Sequence, residues 1–126
     1  MKFEQRKWCE EAESIFDDFL IAPERRQEVI SEVQDGRSTL WKISGGQWET
    51  WLITRLEKWP NGCREMVLEA VRGRHIVKIL RHLFRHYKAA GVNSVRFATP
   101  HPEAVATRLV KPLGLKRVET VFRVEL

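Results

Sequence analysis

Arg72, Gly73 and Arg74 stand where an apolar stretch gives way to an amphipathic one. A glycine-bearing turn between a strand and a helix leaves the first N–H groups of the helix without acceptors. Flanking guanidinium groups add positive charge, and the combination suits a phosphate group. The candidate anion site is therefore Val71, Arg72, Gly73, Arg74, His75, Ile76 and Val77. The same residues also read as a plain strand-to-helix turn with solvated arginines.

The segment that follows carries a line of cations. Arg74, Lys78, Arg81, Arg85 and Lys88 recur at steps of three and four, which places them on one side of a helix. Like charges at that spacing repel by a few tenths of a kcal/mol per pair. The face calls for an anionic partner: the acidic N-terminal segment, a second subunit, another protein or nucleic acid. Otherwise it is a solvated face. No aromatics interleave with it, as they would in a single-strand binder. His82 and His86 lie one helical turn apart, a spacing that can grip a metal. No acid or cysteine accompanies them, so the reading is a surface pair and no metal.

Glu69 interrupts the apolar run Arg64–Val71. A carboxylate among apolar neighbours has a raised pKa and can take a proton from an amine, which makes Glu69 the candidate general base. Strict alternation sets it with Glu65, Val67 and Val71, and puts Met66, Leu68 and Ala70 on the opposite face. The other reading is an acid paired with an arginine such as Arg96. No Ser-His-Asp or Cys-His set is present. Cys9 and Cys63 have no ligand spacing and read as free, buried or half-buried thiols.

These residues need elements to position them. Trp8, Ala12, Ile15, Phe16 and Phe19 recur at helical steps, so Glu4 to Leu20 is predicted helical. A second helix starts at Pro23, runs to about Gln34 and stops at Gly36. Period two then takes over. Strands are expected at Thr39–Ile43, Gln47–Glu57 and Arg64–Val71, joined by Ser44-Gly45-Gly46 and by Trp59-Pro60-Asn61-Gly62. In the second strand Trp48, Leu52 and Leu56 share one face, Trp51 and Ile53 the other. An exposed Trp48 or Trp51 would mark a contact surface. His75 to Ala90 is a long helix with an apolar stripe through Ile76, Ile79, Leu80, Leu83, Phe84 and Tyr87. Ser94–Ala98 is a short strand. Thr99-Pro100-His101-Pro102 opens a helix to about Val110, which Pro112 and Gly114 end. Leu115–Leu126 is strand, with a bend near Glu119 or Thr120.

The expected fold is α/β (α+β): one domain over residues 1–126, helical over 1–36, then a mixed sheet with crossover helices on both faces. A chain of 126 residues buries roughly two-thirds of its unfolded surface and needs neither metal nor disulfide to fold. The net charge of +5 is unevenly spread: ten acids oppose five bases up to Asp35, and seventeen bases oppose seven acids beyond it. The charged N-terminus and the lack of a long apolar run point to a cytoplasmic protein with no membrane partner.

The element order and the local sequence from Thr39 to Leu126 resemble the GNAT superfamily of N-acetyltransferases. In that family the central strand leads into a pyrophosphate-binding loop, Arg/Gln-x-x-Gly-x-Gly/Ala, and then a helix. Here the stretch is Arg72-Gly73-Arg74-His75-Ile76-Val77. Gly73 fits the Arg-Gly opening, and His75 and Val77 stand in place of the later glycines. The family's Tyr-x-x-Leu-Gly-Phe pattern is matched by Val110-Lys111-Pro112-Leu113-Gly114-Leu115, with Val110 in place of the tyrosine that often serves as general acid. The resemblance implies a GNAT-like mixed sheet and acetyl-CoA as cofactor. It leaves two functions open. One is a protein with a degenerate acyl-CoA site, similar to small phage-encoded GNAT-like proteins, that works in assembly or regulation through a protein partner or self-association in the host cytoplasm or the virion. The other is an active acetyl-CoA-dependent N-acetyltransferase acting on an amine.

Overall fold

The structure, a computed structural model, describes residues 1–98, 103, 108–118 and 121–126. Its centre is a meander of three strands. β2 (Ser38–Gly45) and β3 (Trp48–Lys58) pair antiparallel across the two residues Gly46 and Gln47. Gly46 has φ +65°, which suits a tight hairpin. Gly45 matters for another reason. A Cβ there would lie 2.6 Å from the Trp48 ring, so its bare backbone seats the indole. β3 turns into β4 (Arg64–Gly73) through Trp59–Cys63, where the Gly62 N–H donates to the Trp59 carbonyl at 2.9 Å.

The N-terminus departs from expectation. Lys2–Arg6 is a strand, β1, paired antiparallel with β2 so that Phe3 lies opposite Ile43. The helix α1 covers only Glu10–Ile15. The apolar stripe through Ala12 and Phe16 is real, and both are buried. The helix stops because the Asp17 carboxylate accepts the N–H groups of Phe19 and Leu20 at 3.1 and 3.3 Å, offering the backbone a turn instead. The Phe16 carbonyl meanwhile accepts the Arg26 guanidinium. α2 (Pro23–Gln34) runs as expected, with proline at its first position.

α3 (Ile76–Ala89) follows β4 and ends in a Schellman motif: Val92 N–H donates to the Tyr87 carbonyl and Gly91 N–H to that of Lys88. β5 (Ser94–Phe97) comes next. α4 (Val110–Leu113) contains Pro112 and is followed by Gly114 at φ +66°. Pro112 falls inside this short helix, where a first-turn residue has no N–H bond to lose, and Gly114 closes it. The strand material divides into β6 (Lys116–Val118) and β7 (Val121–Glu125). The expected break at 99–102, most of the helix after it and the bend at 119–120 lie outside the described residues.

The seven strands among the described residues form one sheet in the order β1-β2-β3-β4-β5-β7-β6; of these neighbours only β4 and β5 run parallel. β5 pairs with β4 from Glu65 to Leu68, and Ala98 N–H reaches the Leu68 carbonyl at 3.1 Å. From Glu69 to Gly73, β4 has no strand on that side among the described residues. On its other side β3 accompanies it throughout, with one irregularity. Ile53 lies opposite Ala70 and Thr54 opposite Leu68, so Glu69 is an extra, bulged residue.

The sheet carries a core on each face. Ile43, Leu52, Leu68, Ile79, Leu80, Phe84, Val95 and Phe97 pack beneath α3 and α4. Ala12, Phe16, Ile21, Val29, Leu40, Trp51, Ile53 and Ala70 pack beneath α1 and α2. Helices on both faces of a mixed sheet were expected. Trp48 and Trp51 fall on opposite faces as alternation required; Trp51 is buried and Trp48 half-buried. The bulge corrects the reading of β4: Val71 joins Met66 and Leu68 on the α3 side, and Ala70 moves to the Trp51 side.

Candidate functional site

The turn from β4 into α3 is held by one threonine. Thr50 on β3, fully buried opposite Gly73, donates its hydroxyl to the Arg74 carbonyl at 2.6 Å and accepts the Arg74 N–H at 2.8 Å. Gly73 sits at φ +146°, and a Cβ there would lie 2.5 Å from the Thr50 Cα. Only glycine lets the two backbones approach this closely. His75 follows at φ +60°, ψ +32°, alone among described non-glycine residues in adopting positive φ; its ring lies 4.9 Å from that of Trp48.

α3 opens without a side-chain cap. The N–H groups of Ile76, Val77 and Lys78 meet no acceptor among the described residues, the first helical bond being Ile79 N–H to the His75 carbonyl. They open onto a cleft of 590 Å³ whose walls include Gly73, His75, Lys78, Arg81, Arg85 and Arg108. Four cations and a helix N-terminus thus face one space, which favours an anion by charge and by directed donors together.

The sequence-predicted residues do not all converge there. Gly73, His75, Ile76 and Val77 line the cleft, with Lys78, Arg81 and Arg85 from the cationic line. Val71 faces the core beneath α3. Arg72 points to the other side of the sheet, where it contacts the Asp17 carboxylate at 3.3 Å and the Ile15 carbonyl at 3.4 Å. Arg74 has its backbone groups tied to Thr50. Lys88 lies beyond the cleft, and Arg81 also donates to the Pro112 carbonyl at 3.0 Å. The acidic N-terminal segment does not neutralise this face, because α1 packs on the opposite side of the sheet. Thr50 and Arg108 escaped the sequence reading: Thr50 matters through a cross-strand position, Arg108 through a fold-back late in the chain.

Glu69 belongs to a second constellation, on the α2 side of the sheet. Its side chain is 96 % buried, its Oε1 accepts Arg55 Nε at 2.9 Å, and its Oε2 is buried without a partner among the described residues. Arg55, not Arg96, is its counter-ion. Arg55 also meets Glu57 at 3.0 Å and Glu32 at 3.9 Å. The chain of charges continues through Glu57–Arg96 at 2.9 Å to Glu65, which accepts Arg123 at 2.6 Å and the Ser94 hydroxyl at 2.7 Å. Burial pushes the Glu69 carboxyl above the ordinary glutamate range, and the Glu32 charge adds to this; Arg55 opposes both. Such a group holds its proton more tightly than an ordinary glutamate does.

Of the remaining candidates, Cys9 is half-buried and Cys63 exposed, both as free thiols. Among the described residues no three His, Cys, Asp or Glu side chains gather closely enough to hold a metal, and no helix is long and apolar enough to cross a membrane. No family model matches this chain, and no curated protein or solved structure matches it either.

Proposed function

We propose that the chain is a divergent GNAT-like protein that binds an acyl-CoA, with the phosphorylated part in the cleft at the start of α3. The observation that carries this reading is the convergence of three unpaired helix N–H groups with Lys78, Arg81, Arg85 and Arg108 on one cleft, next to the half of β4 that β5 does not cover. An elongated thioester carries its charge at one end and its reactive carbonyl at the other. The cleft serves the charged end. The bulge at Glu69 lies farther along the unpaired half of β4, where a strand irregularity re-aims side chains and backbone groups.

For acyl transfer Glu69 is the candidate to accept the proton of an attacking amine, through its unpartnered Oε2. Val110, in place of a tyrosine, can donate no proton to a departing thiolate, so that proton has to come from another acid or from water. Calorimetry with acetyl-CoA tests the reading. Micromolar binding that is lost in Lys78→Glu with Arg81→Glu supports it; no binding at millimolar acetyl-CoA ends it.

A second reading rests on a separate observation. Trp59, Leu56 and Phe19 are exposed large apolar side chains, and Lys78, Arg85 and Lys88 make no ion pair among the described residues. Such surfaces serve an assembly or regulatory role through protein contacts, in which the cleft is a relic.

A further inference from the structure

A second cavity lies on the α3 side of the sheet, away from the cationic cleft. It measures 310 Å³ and is bounded by Phe3 of β1, Trp41 of β2, Leu52 of β3, and His82, Leu83, His86 and Tyr87 of α3. Three features define what would fill it. The first is size: a cavity of about 150 Å³ admits one benzene ring, so twice that volume suits a bicyclic molecule of roughly ten to thirteen heavy atoms. The second is shape. Phe3 and Trp41 supply flat walls, and Phe3 already stacks on the His82 ring with centroids 5.6 Å apart and planes 21° apart.

The third feature is polarity. Tyr87 is 92 % buried as a residue and its phenol makes no hydrogen bond among the described residues, but its hydroxyl is not one of the fully buried atoms; it reaches accessible space, where a ligand can bond it. The Trp41 indole N–H, by contrast, is spent on the Thr54 hydroxyl at 3.2 Å. The polar groups left to a ligand are therefore the Tyr87 O–H and the imidazoles of His82 and His86, one helical turn apart. No carboxylate borders the cavity. An acceptor head group, and an anionic one best of all, completes these groups. From cavity size, aromatic walls and a phenol beside two imidazoles on its border, we infer that this cavity binds a small bicyclic aromatic carboxylic acid, with the carboxylate on Tyr87 and the histidine pair.

Titration calorimetry of the full chain with 2-naphthoate tests this. One site per chain is expected, with naphthalene-2-methanol bound about tenfold more weakly, since a hydrogen bond to a charged group is lost. Tyr87→Phe should weaken 2-naphthoate by a similar factor at unchanged melting temperature. Leu83→Trp, which fills the cavity from α3, should abolish binding. Lys78→Glu with Arg85→Glu strips charge from the other cleft and should leave 2-naphthoate binding unchanged, which separates this site from the acyl-CoA reading. Absence of binding at millimolar 2-naphthoate overturns the inference. So does equal binding of the alcohol, binding indifferent to Tyr87→Phe, or binding lost with the Lys78 and Arg85 substitutions.

Discussion

Gly73 and Glu69 show how much one position can decide. At Gly73 a methyl group meets the Thr50 backbone, which cannot swing aside as a side chain would, and φ +146° is foreign to alanine. Gly73→Ala is expected to cost about 3 kcal/mol, read as a lower urea midpoint at unchanged slope. At Glu69 the sign of the pH effect follows from its raised pKa. A carboxyl that holds its proton more tightly when folded contributes stability that is complete below the ordinary glutamate value. That contribution is lost as pH rises through the folded value. Glu69→Gln removes this loss, so its stability should fall less than that of the parent as pH rises above the ordinary glutamate value, as urea unfolding at a series of pH values will show. Arg55 keeps Glu57 and Glu32 as partners in that variant.

Among the elements, the joint between β4 and α3 combines a rigid turn with an unfinished helix end. Thr50→Val retains the shape and removes both hydrogen bonds to Arg74, leaving its N–H and carbonyl without their side-chain partner. A loss of about 1–3 kcal/mol in thermal or urea unfolding is expected. α3 itself carries no acid in its first turn, and cations line its outer face. Both features disfavour the isolated helix. Lys78→Glu corrects both and should stabilise the fold by about 0.5 kcal/mol while weakening acetyl-CoA binding, two opposite outcomes measurable on one sample. A face selected for stability alone would not be built this way, which agrees with the proposed role of the cleft in binding an anion.

Across the entire domain, the sheet is stitched together by charge as well as by its two cores. Glu65, 98 % buried in its side chain, joins β4 to Ser94 on β5 and Arg123 on β7. Glu65→Ala leaves guanidinium groups facing a low-dielectric site and should cost about 3–5 kcal/mol, with amide exchange accelerating first in β5 and β7. Sequence alone specified α2, the β2–β3 hairpin and α3, because proline, paired glycines and an apolar stripe act through neighbours a few residues away. It also marked Gly73 and the cationic line. It did not reveal β1, whose five residues become a strand only because β2 offers an edge, nor the bulge that exchanges the faces of Ala70 and Val71. A period-two count cannot register a bulge, since the extra residue is set by where two strands slip past each other. Likewise Arg72 looked like a cleft residue until the sheet placed it beside Asp17, and Glu69 found Arg55 rather than Arg96. Local rules fix which elements form. Only packing of the whole chain decides which distant side chains meet, because those meetings depend on register and face, quantities that no short stretch of sequence carries.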